Sequence, residues 1–106
     1  MEVSMYFQKE PNFNMSREDA AKLTLAQLAE NYELVLKVTM PEGTLPDRIF
    51  MMYQDRPLSL PPGVKHTSMS VGDIVVLGRK VCICCTCGWY TVELSNIPSA
   101  DVLEAS

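Results

Sequence analysis

The chain is 106 residues long, 47% apolar and 21% charged, the composition of one ordinary globular domain and not of a disordered chain. Thirteen acidic residues against nine basic give a net charge of −4. With the acids scattered, that balance disfavours recognition of nucleic acid through its phosphates, which calls for clustered lysine and arginine. No apolar run approaches the ~20 residues of a membrane helix, and the N-terminal MEVSMYFQKEPN has neither the basic start nor the apolar centre of a secretory signal.

In chain order, Val3 to Phe7 is compatible with a short first strand or with a partly ordered arm spanning residues 1–15. Ser16 reads as a helix N-cap, with Glu18 and Asp19 in the first turn, where the helix dipole favours acids. Leu23, Leu28 and Tyr32 give an apolar stripe along this helix to about Asn31, and Leu25 lies off it. Glu33 to Met40 then changes to a period of two, a half-buried strand with Leu34, Leu36 and Val38 inward. Pro41-Glu42-Gly43 ends it. Thr44 is placed as the cap of a second, short helix with Pro46 and Asp47 in its first turn. Leu45, Ile49, Met52 and Tyr53 share a face, Phe50 lies beside it, and the helix should stop before Pro57.

Pro57 to His66 holds three prolines and a glycine in ten residues, which makes it a loop. Loops carry recognition residues when they are more than connectors, so Leu58, Leu60, Lys65 and His66 are candidate contacts. Val71-Gly72-Asp73 is a turn into a C-terminal meander, where Asp and Ser satisfy local backbone donors. Leu77-Gly78-Arg79-Lys80 places glycine first in a two-residue loop between β-branched runs, the pattern of a type II′ hairpin. The strands should be Asp73 to Leu77 and Lys80 to Cys87, with Ile74 opposite Ile83, Val75 opposite Cys82 and Val76 opposite Val81. Ile74, Val76, Val81 and Ile83 then form one patch continued by Cys85 and Cys87. The reverse face is also apolar, so both sides should be covered. Apolar positions shift from odd to even numbers after Cys87, which predicts a bulge or tight turn at Gly88-Trp89 and a last strand from Tyr90 to Leu94. Ser99 could cap a final turn, or the acidic end could fray.

Four cysteines crowd into residues 82–87. That is unlike a disulfide framework, which distributes its pairs, and it places the protein in a reducing cytoplasm. A zinc centre would draw on Cys82, Cys84 and Cys87 with His66 as the fourth ligand. Structural zinc needs four converging ligands, and neighbours along a strand diverge, so the thiols are expected to pack as small hydrophobes. No P-loop, dinucleotide fingerprint, nucleophile elbow or paired-carboxylate motif occurs. Neither a catalytic group nor a cofactor is expected.

The segment Ser68-Met69-Ser70-Val71-Gly72-Asp73-Ile74-Val75 resembles the S-x-S-V-G-D-V-V segment of the YodL-like group, small proteins of phages, plasmids and conjugative elements. Cys87-Gly88-Trp89 is similar to the aromatic-bearing turn that follows there, and Leu45 to Gln54 to the helix that precedes it. The likeness spans residues 44–94. It implies an accessory protein of a mobile element and carries over no catalytic residue.

The expected fold is α+β: a small, mainly antiparallel sheet of about four strands with a C-terminal meander, packed against one or two helices. Its predicted core is Leu34, Leu36, Val38, Ile49, Ile74, Val76, Val81, Ile83 and Val92. The expected function is non-enzymatic protein binding, with a host or mobile-element protein as partner and antagonism of host restriction or CRISPR defence as the purpose. Recognition would lie in the Pro57 to His66 loop and at Trp89 and Tyr90. A zinc-stabilised module and a small nucleic-acid-binding barrel are the alternatives, and no membrane association is expected.

Overall fold

In the computed structural model, which describes residues 1–10, 12–53 and 69–98, nine elements follow one another. They are β1 (Glu2–Gln8), α1 (Arg17–Ala21), α2 (Leu25–Asn31), β2 (Tyr32–Thr39), α3 (Pro46–Tyr53), β3 (Ile74–Leu77), β4 (Lys80–Cys85), β5 (Gly88–Glu93) and a 3₁₀ turn, Leu94–Asn96. The strands form one antiparallel sheet of order β2-β1-β3-β4-β5. The fold is α+β, with five strands where about four were expected. The additional one is β1, and it lies inside the sheet, pairing with β2 from Glu2↔Thr39 to Gln8↔Tyr32 and with β3 from Val3↔Leu77 to Tyr6↔Ile74. Of the two states open to residues 3–7, the chain takes the strand.

Both faces of the sheet are covered, as the apolar hairpin requires. On one face Val3, Met5, Phe7, Val75 and Cys82 pack with Met69 and with Ile49 of α3. On the other, Ile74, Val81, Ile83 and Cys85 pack with Met15, Ala20, Tyr32 and Ile97. Within β1, alternate residues supply the first face with three fully enclosed side chains, each worth roughly 1.5–3 kcal/mol relative to exposure. Tyr6 packs on the second face. Of the predicted core, Ile49, Ile74, Val81 and Ile83 are buried. Leu36, Val38, Val76 and Val92 are partly buried against the two clusters.

Leu34 is not core: it is 43% exposed. The register of β1 against β2 shifts between Met5↔Leu36 and Tyr6↔Leu34. This bulge puts Leu34 and Leu36 on opposite faces, and a period-two pattern cannot report it.

The helix expected from Ser16 to about Asn31 is two helices. Ser16 accepts from Asp19 N at 3.1 Å and Asp19 answers at Ser16 N, closing a capping box. Thr24 and Gln27 then close a second box, at 3.2 and 2.9 Å, and start a new helix with a new phase. Leu25 was off the stripe because it belongs to the next helix. Thr44 is corrected as well: its hydroxyl donates to Pro41 O at 2.7 Å, so it closes the preceding turn. Leu45 is 67% exposed and not on the buried face.

The β3–β4 hairpin has the expected register, from Ile74↔Ile83 to Leu77↔Lys80. Gly78 has φ +62° while among the described residues only glycines have positive φ, so Arg79 does not, the sign pattern of a type II′ loop. Strand β4 ends at Cys85, two residues short of the prediction. Cys85↔Gly88, Cys84↔Trp89 and Ile83↔Tyr90 are paired across a two-residue loop, Thr86-Cys87. An odd residue of β4 thus shares a face with an even residue of β5, so the hairpin itself accounts for the shift in periodicity. Leu94 leaves the strand for the 3₁₀ turn. Leu58, Leu60, Lys65 and His66, the expected helix stop before Pro57 and the expected turn at Ser99 lie outside the described residues. Among the described residues no helix is long and apolar enough to cross a membrane.

Candidate functional site

The S-V-G-D segment forms a buried clasp. Ser70 to Asp73 is a turn, closed by Asp73 N donating to Ser70 O at 3.1 Å. Its third residue, Gly72, has φ +96°, the left-handed position that a type II turn assigns to glycine. Asp73 is fully enclosed. Its carboxylate accepts from Gln8 N at 3.0 Å, Ser70 N at 2.9 Å and the Ser70 hydroxyl at 3.3 Å. Gln8 lies across the turn, where a side chain on Gly72 would have to stand, with an ideal Cβ 1.9 Å from Gln8 Nε2. Gln8 Nε2 also donates to Val71 O at 3.2 Å, and the Tyr32 hydroxyl donates to Gly72 O at 2.6 Å. One turn therefore joins the end of β1, the start of β2 and the entry to β3. What the motif does is hold the sheet together, in line with the turn-forming reading of Ser70 and Asp73.

The four thiols do not converge on one point. Cys82 and Cys84 occupy alternate positions on the α3 face, opposite Thr91 and Trp89. Cys85 lies on the other face, where its thiol donates to Ile83 O at 3.4 Å. Cys87 is exposed in the turn. Among the described residues no three of His, Cys, Asp and Glu gather where they could hold a metal ion.

Burial, which disfavours the thiolate, raises the pKa of Cys82 and Cys85 and pushes Cys84 up to about 11. Below about pH 9 these thiols are neutral in both states. Above it the unfolded chain releases protons that the folded chain retains, so stability is fully present below about pH 9 and is lost as pH rises toward 11. The urea midpoint should accordingly fall across that window, and less steeply in Cys84→Ala. A midpoint that is flat between pH 8 and 11 would contradict the burial of these groups.

Trp89 and Tyr90 stand side by side on β5 and face opposite ways, each half-buried. Trp89 is fixed by two residues of α3. Its indole N–H donates to the carboxylate of Asp47, and Phe50 meets its ring edge-on, centroids 6.1 Å apart at 84°. Such an edge-to-face pair contributes about 0.5–1.5 kcal/mol beyond buried area. Asp47 and Phe50 were not among the predicted site residues. They lie 42 and 39 positions from Trp89, and no local pattern links them. On the same face Leu77, Arg79, Lys80 and Thr91 line one side of a 620 Å³ groove, with Leu45 and Pro46 on the other. The structure sets the side chains of Trp89 and Tyr90 on opposite faces of an edge strand, and the other predicted contacts fall outside the described residues.

A scan against family models, a search of curated proteins and a search of solved structures each returned no match. The class defined here is therefore that of the fold alone, an α+β domain with a five-stranded antiparallel sheet covered on both faces.

Proposed function

We propose that this protein works by binding another protein and has no catalytic role. The observation that carries this reading is the state of Trp89: a half-buried indole on an edge strand, held in one orientation by Asp47 and Phe50. An aromatic side chain ordered before contact loses little freedom on binding, and tryptophan is among the residues that dominate interface energies. The groups that might have suggested chemistry have structural work. Asp73 closes the clasp and three of the four cysteines are buried wall.

The finer reading follows from the likeness of residues 44–94 to YodL-like proteins. It is an accessory factor of a mobile element, acting in the cytoplasm on a host or mobile-element protein, with antagonism of restriction or CRISPR defence as its purpose. The Val71-Gly72-Asp73 part of that likeness is explained by folding, so it supports a shared scaffold more than a shared partner. Affinity capture from a bacterial host lysate tests the proposal. Wild-type protein should retain a partner that Trp89→Ala loses by at least tenfold, with the far-UV CD spectrum of the variant unchanged. Equal capture by the variant, or turnover of a small molecule by the purified protein, would refute it.

A further inference from the structure

The backbone of β5 can be oriented from two hydrogen bonds of its neighbour. Cys84 N donates to Asp73 O at 3.0 Å and Cys84 O accepts from Gly72 N at 2.7 Å, so the polar groups of Cys84 point toward β3. In an antiparallel ladder the direction alternates. Ile83 and Cys85 therefore point toward β5, where they pair with Tyr90 and Gly88. The N–H and C=O groups of Trp89, Thr91 and Glu93 consequently point away from β4. Strand β5 ends the sheet, and among the described residues nothing bonds to this outward row.

The two edges of the sheet differ. Strand β2 carries devices that discourage pairing, namely a bulge and the charged Glu33 and Lys37. Strand β5, GWYTVE, has no proline, lysine or bulge, and Trp, Tyr, Thr and Val are all strong strand formers.

We infer that β5 pairs antiparallel with β5 of a second copy, about a two-fold axis at Thr91. This rests on the reading of the Trp89 edge as a protein-binding surface, and it names the partner there. The strand matches itself in that register. Thr91 meets Thr91 of the second copy, Trp89 meets Glu93, and Tyr90 meets Val92. Threonine pairs and aromatic–β-branched pairs are favourable cross-strand neighbours, and no like charges stand opposite. The outward groups of Trp89, Thr91 and Glu93 fall into hydrogen-bonded register with those of Glu93, Thr91 and Trp89 in the second copy. Each facing pair also lies on the same side of its sheet, as continuity demands. The product is one continuous sheet with both Trp89 side chains on the same side, which doubles the aromatic surface offered to a further partner.

Sedimentation velocity over a concentration series tests this. Wild-type protein should shift from 11.9 kDa toward twice that mass as concentration rises. The Thr91 side chain is exposed, so Thr91→Lys and Thr91→Glu should keep the far-UV CD spectrum, and each alone should stay monomeric because like charges meet at the axis. Mixing the two should restore the dimer, with lysine now facing glutamate. A wild-type protein that is monomeric throughout, or a dimer unaffected by Thr91→Lys, overturns the inference. If the wild type is monomeric while Thr91→Lys loses a protein captured from lysate, the edge belongs to a foreign strand. Self-pairing then falls and the binding reading stands.

Discussion

Asp73→Ala is expected to lower stability by about 3–6 kcal/mol, enough to unfold much of the population of a domain whose total is roughly 5–15 kcal/mol. The carboxylate accepts from two backbone N–H groups, of Gln8 and Ser70, and from the Ser70 hydroxyl. Each donor left buried without an acceptor costs about 1–3 kcal/mol, and alanine offers no replacement. Asp73→Asn keeps one acceptor oxygen and should be milder. Urea unfolding followed by far-UV CD, with both variants beside the wild type, gives the comparison. A loss under about 1 kcal/mol for the alanine variant would mean that the clasp is not what secures β1 to β3.

The second large effect is expected at Phe7. Its side chain is fully enclosed, whereas Phe13, six residues on, is 55% exposed. Phe7→Ala removes a ring from an interior strand and leaves a cavity lined by its neighbours, which should cost about 3–5 kcal/mol. Phe13→Ala should change stability by no more than about 0.5 kcal/mol. The same denaturation experiment reads both. Similar losses for the two would contradict the placement of β1 inside the sheet, between β2 and β3.

Phe7 also marks where the sequence stops being informative. The hairpin could be read because a two-residue loop with Gly78 fixes its register locally and the flanking residues alternate. Strand β1 was legible only as one of two states: Val3, Met5 and Phe7 alternate with Ser4, Tyr6 and Gln8, but both of its partners are remote in sequence and no local turn pins it to either. The break between α1 and α2 was written in the chain, as Thr24-x-x-Gln27 is a capping box. A continuous apolar stripe hid it. The exposure of Leu34 had no local signal, since a bulge depends on how the partner strand is held. At the candidate site the chain gave the aromatic pair at 89–90 but not the α3 residues that orient Trp89. That contact depends on tertiary folding, which brings α3 against the reverse face of the hairpin.

The order of strands in space departs from their order in the chain, and this has a consequence for synthesis. As the polypeptide leaves the ribosome, β1 can join β2 once about residue 40 has emerged. Its other neighbour arrives only after Ile74–Leu77. For that interval a nascent sheet presents Val3, Met5 and Phe7 with one flank open, the kind of intermediate that draws chaperones or aggregates. Contacts so distant along the chain also slow folding. Strand β1 thus precedes both of its partners in the chain yet is among the last elements to be enclosed, and the rate of folding is tied to delivery of β3.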